Sequence, residues 1–253
     1  MTLRAKAPIA VAACSLLAGL GLPALGRADG GGGPGSGGAG FSSSSSPGPT
    51  AQPGNGQVSS SASGITITTQ QSAFLTGQLQ FSGSVPSSDA GNTVEIQRYG
   101  HETGWTWAPT AEGTVASNGS FQVTWSVNHI GRFAFRAVMT GSGQGATASA
   151  GWPTVTVTVY RSSLATQYGP GFYGRLTACG QRLRRNTLGV ANRRLPCGTK
   201  VAIYYNGRTI VVPVIDRGPF ANGADWDLTE ATGRALGIAG TAQIGAVSLP
   251  RTR

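Results

Sequence analysis

The chain has 253 residues, including 40 glycines, so a fold packed along its whole length is excluded and the folded portion is shorter than the chain. Its formal net charge of +10 predicts an acidic partner. The charge is concentrated at one end, because residues 161–253 hold 13 Lys and Arg side chains against four acids, whereas residues 64–160 hold three Arg side chains against four acids.

The N-terminal residues predict export. Arg4 and Lys6 precede an apolar run that glycines and a proline interrupt, and small residues follow it. We predict a signal peptide over residues 1–28 rather than a stable membrane span, which needs about 20 uninterrupted apolar residues. Cys14 follows a Val-Ala-Ala segment that resembles a lipoprotein box, but the apolar run continues beyond it, so lipid attachment is the less favoured alternative. Export and the lack of a nucleic-acid-binding motif argue against nucleic acid as the acidic partner.

Residues 29–63 are rich in Gly, Ser and Pro and carry almost no charge. Such a composition buries too little apolar surface to offset the conformational entropy lost on folding. We therefore predict a disordered linker that tethers the folded part of the chain.

Residues 64–160 contain short segments in which apolar and polar residues alternate, separated by turn residues. This pattern predicts an immunoglobulin-like β-sandwich, here without a disulfide because the segment has no cysteine. Trp105 and Trp107 are two residues apart and would share one face of a strand. We interpret them as core residues, with a sugar-stacking platform as the alternative. No metal or cofactor is predicted, because His101 and His129 have no partner at metal-ligand spacing.

Residues 161–253 form the last predicted domain, which a short joint at residues 161–163 connects to the sandwich. Several apolar runs predict strands, and one helix is predicted with Thr229 as its N-cap, residues 230–236 as its body and Gly237 at its end. Many short strands and one helix in about 90 residues indicate a small closed β-barrel. Cys179 and Cys197 are predicted to form a disulfide, since the protein is exported.

One segment is the strongest candidate for a functional site. Residues 210–215 are apolar and, except for Pro213, β-branched, which predicts a buried strand that ends at Asp216. Pro213 predicts that this strand lies at an edge or contains a bulge. The Gly-Pro pair at 218–219 then forces a turn, so that the carboxylate lies on a rigid rim. The alternative is that Asp216 only caps the turn.

The C-terminal part resembles the RlpA (rare lipoprotein A) family. The resemblance is carried by the segments ATQYG (165–169), GRLTACG (174–180), GVANRRLPCGT (189–199) and VIDRGPF (214–220), followed by DLT (227–229). It implies a fold that is mainly β, a six-stranded double-psi β-barrel with one short helix, related to the barrels of expansins and barwin-like proteins. It also implies an exported protein that acts on cell-wall glycan, in some members by cleaving peptidoglycan with formation of an anhydro sugar.

The resemblance also implies positions for the site residues. Active relatives have a Glu, a His and an Asp where this chain has Gln181, Asn192 and Asp216. In an enzyme, Asp216 would act as acid and then as base, with Asp227 as its helper. Because neither Gln nor Asn titrates, the alternative is a non-catalytic, expansin-like module that binds peptidoglycan or another anionic wall polymer.

Further ligand contacts are predicted on both accounts. Gln181 and Asn192 can bind sugar hydroxyls, Arg193 and Arg217 can bind carboxylates or phosphates, and Tyr168 and Tyr173 can stack on a sugar ring. The alternatives are that the arginines form a solvated face and that Tyr168, Phe172 and Tyr173 pack across a loop.

Overall fold

The structure is a computed structural model that describes residues 52–53, 56–140, 151–220 and 223–250. The predicted signal peptide, Cys14 and most of the predicted linker lie outside the described residues. No helix within the described ranges is long and apolar enough to cross a membrane.

Two sheets form a β-sandwich in the first part of the described chain. One sheet contains the strands β2 (Gln57–Ala62), β3 (Ile65–Gln70), β5 (Gln78–Ser84) and β8 (Ser120–Ser126), paired in that order. The other contains β4 (Ser72–Phe74), β6 (Thr93–Tyr99), β7 (Ala108–Thr114), β9 (Gly131–Thr140) and the first half of β10 (Thr154–Tyr168). A short 3-10 turn at Ser87–Asp89 connects β5 to β6.

The alternating pattern decides which side chains enter the sandwich. In β8, Phe121, Val123 and Trp125 are buried while the residues between them are exposed. The Phe135 ring on β9 packs against them, with its centroid 5.5 Å from that of Trp125 and 4.9 Å from that of Phe81 on β5. The immunoglobulin-like sandwich predicted from the sequence is present.

Six strands then close into a barrel around a second apolar core. They are the second half of β10, β11 (Val190–Ala191), β12 (Lys200–Tyr205), β13 (Arg208–Asp216), β14 (Trp226–Thr229) and β15 (Ala242–Leu249). The ring closes because β10 pairs with β15 on one side and, in parallel, with β14 on the other. A two-residue strand, β1 (Gln52–Pro53), adds to β13. The predicted barrel is therefore confirmed.

The single helix of the described residues, α1 (Glu230–Leu236), has the predicted bounds. The Thr232 N–H donates to the Thr229 hydroxyl at 3.2 Å, which caps the first turn. Gly237 ends the helix at a φ of 78°, a left-handed conformation that costs glycine little.

Strand β10 belongs to both the sandwich and the barrel. Residues up to Val159 pair with β9 and residues from Arg161 pair with β15, so the short joint predicted at residues 161–163 is wrong. Tyr160, between these two ladders, is buried against Phe74 and Tyr204, with ring centroids 6.0 and 5.6 Å away. The two bodies therefore share a strand and a small aromatic core.

Two further expectations differ from the structure. The sandwich begins at Gln57, inside the range predicted as linker, because β2 is a polar strand that pairs along all of β3. The core interpretation of Trp105 and Trp107 is wrong. Both residues lie in the β6–β7 loop rather than in a strand, and Trp105 is 48% exposed.

Candidate functional site

A groove of about 650 Å³ crosses the barrel where β10, β14, β11 and β13 lie side by side in that order. It is lined by the end of β10, the turn that follows β13 and the start of β14. The lining residues that matter for chemistry are Thr166, Tyr168, Asp216, Arg217 and Asp227. Two carboxylates, a phenol and a guanidinium therefore face one open space.

Asp216 ends β13, as the sequence predicts, and its side chain is half-buried. Its Oδ1 accepts hydrogen bonds from the backbone N–H groups of Ala178 at 2.9 Å and Arg217 at 2.8 Å. Its Oδ2 has no hydrogen bond to any described residue. The carboxylate is therefore held in a fixed orientation with one oxygen free to receive a ligand or a proton.

Ala178 precedes Cys179, which forms a disulfide with Cys197, and the Cα atoms of the two cysteines are 5.7 Å apart. The Cys179 N–H donates to the Ile215 carbonyl at 3.3 Å, and the Gly198 N–H donates to the Val214 carbonyl at 2.8 Å. The disulfide therefore joins two turns that both bind the last residues of β13. The two backbone bonds fix the donors around Asp216, and the disulfide adds a covalent link between the turns.

Asp227 occupies the other side of the groove and has a different environment. It lies on β14, where its Oδ1 accepts a hydrogen bond from the Thr166 hydroxyl at 2.9 Å. Burial raises the pKa of Asp227, the negative charge of Asp216 raises it further, and the bond from Thr166 opposes both effects. The raised pKa keeps Asp227 protonated to a higher pH than an exposed Asp, which suits a proton donor.

Tyr168, at the end of β10, places its hydroxyl in a buried position without a hydrogen-bond partner among the described residues. Burial raises the pKa of Tyr168, and the negative charges of Asp216 and Asp227 raise it further. The phenol is therefore neutral and keeps a donor available. An unsatisfied buried hydroxyl is costly unless a ligand or water pairs with it.

The rim of the groove is apolar and exposed. Phe172, Leu176 and Phe220 are 51%, 66% and 81% exposed, and all three line the groove. Arg217 lies lower, with its guanidinium bonded to the backbone carbonyls of Asn192 and Asp216 at 3.3 and 3.4 Å. The flat rings of Phe172 and Phe220, next to the polar side chains deeper in the groove, suit a sugar ring, which has apolar faces and polar edges.

The other predicted contact residues lie elsewhere. The side chain of Asn192 caps the following turn by accepting from the Arg194 and Leu195 N–H groups at 3.0 and 2.9 Å. With Arg193 it lines a second cavity of about 480 Å³ at the sandwich end of the barrel. Tyr173 donates to Glu230, and the Gln181 side chain is exposed outside the groove lining. The structure thus brings together four of the eight predicted residues.

Several residues of the groove lining were missed in the sequence, among them Thr166, Leu176 and Phe220. Thr166 and Leu176 stand inside the matching segments, and Phe220 closes the VIDRGPF segment, but nothing in their residue types indicates a ligand contact. The alternation of β10 could have found Thr166, because Thr166 and Tyr168 share a strand face. No three His, Cys, Asp or Glu side chains within the described ranges are grouped so that they could hold a metal ion.

Residues 163–248 match the model of a protein family described as "Lytic transglycolase". The barrel is RlpA-like. A relative from Synechocystis sp., named "Probable endolytic peptidoglycan transglycosylase RlpA", is 45% identical over 85 residues, which is 33% of this chain and 26% of the relative. The chain therefore spans about a quarter of that relative's length.

Two other comparisons cover different parts of the chain. The "Endolytic peptidoglycan transglycosylase RlpA" of Campylobacter jejuni is 29% identical over 184 residues, 71% of this chain and 58% of the relative. Among solved structures, the Streptomyces papain inhibitor is 27% identical, with 35% of this chain and 93% of the inhibitor covered and a TM-score of 0.29.

Proposed function

We propose that the RlpA-like barrel binds a glycan strand of peptidoglycan in the groove and cleaves it as a lytic transglycosylase. The observation that supports this most is the pair of carboxylates in unlike environments that share the groove. Asp227 is half-buried with a raised pKa, whereas Asp216 is fixed by two backbone N–H groups. Such a pair supplies one acid and one base.

The proposed reaction uses each carboxylate once. Protonated Asp227 gives its proton to the glycosidic oxygen as the bond from that oxygen to the anomeric carbon breaks. The sugar's own 6-hydroxyl attacks the anomeric carbon, and the free Oδ2 of Asp216 takes the hydroxyl proton. The products are a shortened strand and a 1,6-anhydro sugar. Asp227 then regains a proton from solvent and Asp216 loses one.

The groove also suits the substrate. The neutral phenol of Tyr168 can donate to a sugar hydroxyl or to the developing negative charge. The rim residues Phe172 and Phe220 can cover the apolar face of a ring. The positive charge of residues 161–253 attracts an anionic wall polymer to the barrel. The proposed location is extracytoplasmic and wall-associated, as expected for a protein exported by a signal peptide.

The experiment compares release with binding. Purified protein is incubated with isolated peptidoglycan, and bound protein is measured by pelleting while released anhydro-muropeptides are measured by mass spectrometry. Asp227→Asn and Asp216→Asn are each expected to lower release roughly 100- to 10,000-fold, the usual contribution of a general acid or base, while pelleting persists. Asp225→Asn is the matched control, because Asp225 is exposed and lies outside the groove lining.

A non-catalytic binding module is the second candidate. The identities and positions of Gln181 and Asn192 favour it. Gln181 and Asn192 stand where active relatives have titratable side chains, and neither lies in the groove lining. If the wild type pellets with peptidoglycan but releases no anhydro-muropeptides, the barrel is a binder. Release that is unchanged in both variants would contradict the assignment of the two carboxylates.

A further inference from the structure

The sandwich carries an aromatic platform that the barrel groove does not explain. We define the platform as Tyr99, at the end of β6, with Trp105 and Trp107 in the loop that follows. The Tyr99 ring lies between the two indoles, with ring centroids 5.7 Å from Trp105 and 5.3 Å from Trp107. Three aromatic rings thus meet at the surface rather than in the sandwich core.

The loop holds Trp105 outward at a conformational cost. Trp105 has a φ of 61°, which is unfavourable for a residue with a side chain, and the residue is 48% exposed. The backbone N–H of Trp105 donates to the Gly100 carbonyl at 2.9 Å, and the Thr103 hydroxyl donates to the Thr106 carbonyl at 2.6 Å. Several local bonds therefore fix a strained backbone that serves to display an indole.

The indole of Trp107 is held by a cation-π contact with Arg136. The guanidinium carbon of Arg136 lies 4.2 Å from the centre of the Trp107 ring, and its Nε donates to the Gln97 side-chain oxygen at 2.8 Å. Because both platform indoles are restrained before any ligand arrives, a ligand would lose little affinity to their ordering.

The charged side chains at the platform are already engaged within the protein, Arg136 by the Trp107 ring and Gln97, and Arg98 by Glu102. Arg98 donates to both carboxylate oxygens of Glu102, at 3.0 and 2.9 Å, and His129 lies 3.3 Å from the same carboxylate. Residues 64–160 hold three Arg side chains against four acids, unlike the strongly basic barrel. The platform therefore favours a neutral ligand.

We infer that the platform is a second binding site, which takes the sugar rings of a neutral glycan by stacking. A pyranose ring has an apolar face that suits an indole and hydroxyls that suit the imidazole of His101, whose ring centroid lies 6.2 Å from that of Trp105. A protein partner fits less well, since three aromatic rings within polar surroundings, of which Trp105 is 48% exposed, offer far less area than a stable protein interface. The inference does not depend on whether the barrel cleaves glycan.

The test follows the tryptophans one by one in the full chain without its signal peptide. The chain has five tryptophans, whose indole N–H signals are assigned in ¹⁵N NMR spectra by single Trp→Phe variants. The probe is chitohexaose, a neutral β-1,4-linked oligomer of N-acetylglucosamine. We expect saturable shifts of the Trp105 and Trp107 signals and none for Trp125, which is 4% exposed in the sandwich core. Binding in the barrel alone would leave Trp105 and Trp107 unshifted.

Trp105→Gly removes the ring without straining the backbone, because glycine adopts a positive φ readily. We expect the dissociation constant for chitohexaose, measured from the shift of the Trp107 signal, to rise at least about tenfold, as for the loss of a central aromatic contact. Thr76→Gly is the matched control, since Thr76 is exposed, has a φ of 67° and lies outside the platform. It is expected to bind like the wild type.

Two results would overturn the inference. The first is that the Trp105 and Trp107 signals do not move at millimolar chitohexaose. The same conclusion holds if these signals move only with protein concentration, because they then report self-association. The other is a Trp105→Gly variant in which the Trp107 signal titrates as it does in the wild type.

Discussion

Removing the disulfide between Cys179 and Cys197 is expected to destabilise the protein by about 3 kcal/mol. The two cysteines are 18 residues apart, and in the loop-entropy model a cross-link of that span stabilises the folded state by about 3 kcal/mol. A total stability of about 5–15 kcal/mol is usual, so the variant Cys179→Ala with Cys197→Ala still folds at 25 °C. The backbone bonds from Cys179 and Gly198 to β13 do not need the sulfurs. We therefore expect the geometry around Asp216, and peptidoglycan binding, to survive.

The assay is urea denaturation followed by tryptophan fluorescence, with pelleting on peptidoglycan measured at 25 °C. The wild type treated with a reductant is the control, and it should unfold at the same urea concentration as the variant. The reasoning is refuted if the variant loses less than about 1 kcal/mol, since the predicted loop entropy is three times larger. A reductant that destabilises the variant further would also refute it.

Three more variants test single contacts. Because burial raises the pKa of Asp227, the wild type loses stability as the pH rises from the ordinary pKa of Asp through the raised pKa. Asp227→Asn should therefore be more stable than the wild type at neutral pH and as stable as the wild type below that pH window. Urea titrations at both pH values measure the difference. Phe220→Ala should weaken pelleting on peptidoglycan without moving the urea midpoint, because that side chain is 81% exposed. Thr229→Ala should cost about 1 kcal/mol through the lost helix cap, and Thr229→Ser should restore it.

Features that depend on local chemistry could be predicted from the sequence. The helix was predicted with its correct bounds because Thr229 and Gly237 act within one turn of their own positions. Asp216 was placed at a strand end for the same reason, since the apolar run before it and the Gly-Pro pair after it are adjacent in the chain. The closure of the barrel by parallel pairing of β10 with β14 is not visible in any single segment.

Features that depend on distant neighbours could not be predicted. The segment QVSSSA forms β2 only because β3 offers a full ladder, and its polar composition resembles that of the linker before it. Trp105 and Trp107 have the spacing of one strand face, but the bonds around Thr103 fold that segment into a loop. Asn192 stands at a site position in the chain, yet its side chain is needed to cap the turn at Leu195.

Strand β10 runs through Thr154–Tyr168 without a break and pairs on both sides of Tyr160. The sandwich, which carries the platform, and the barrel, which carries the groove, are therefore joined by one continuous strand rather than by a loop. A glycan that binds at both places would have to span the separation that this continuous strand maintains.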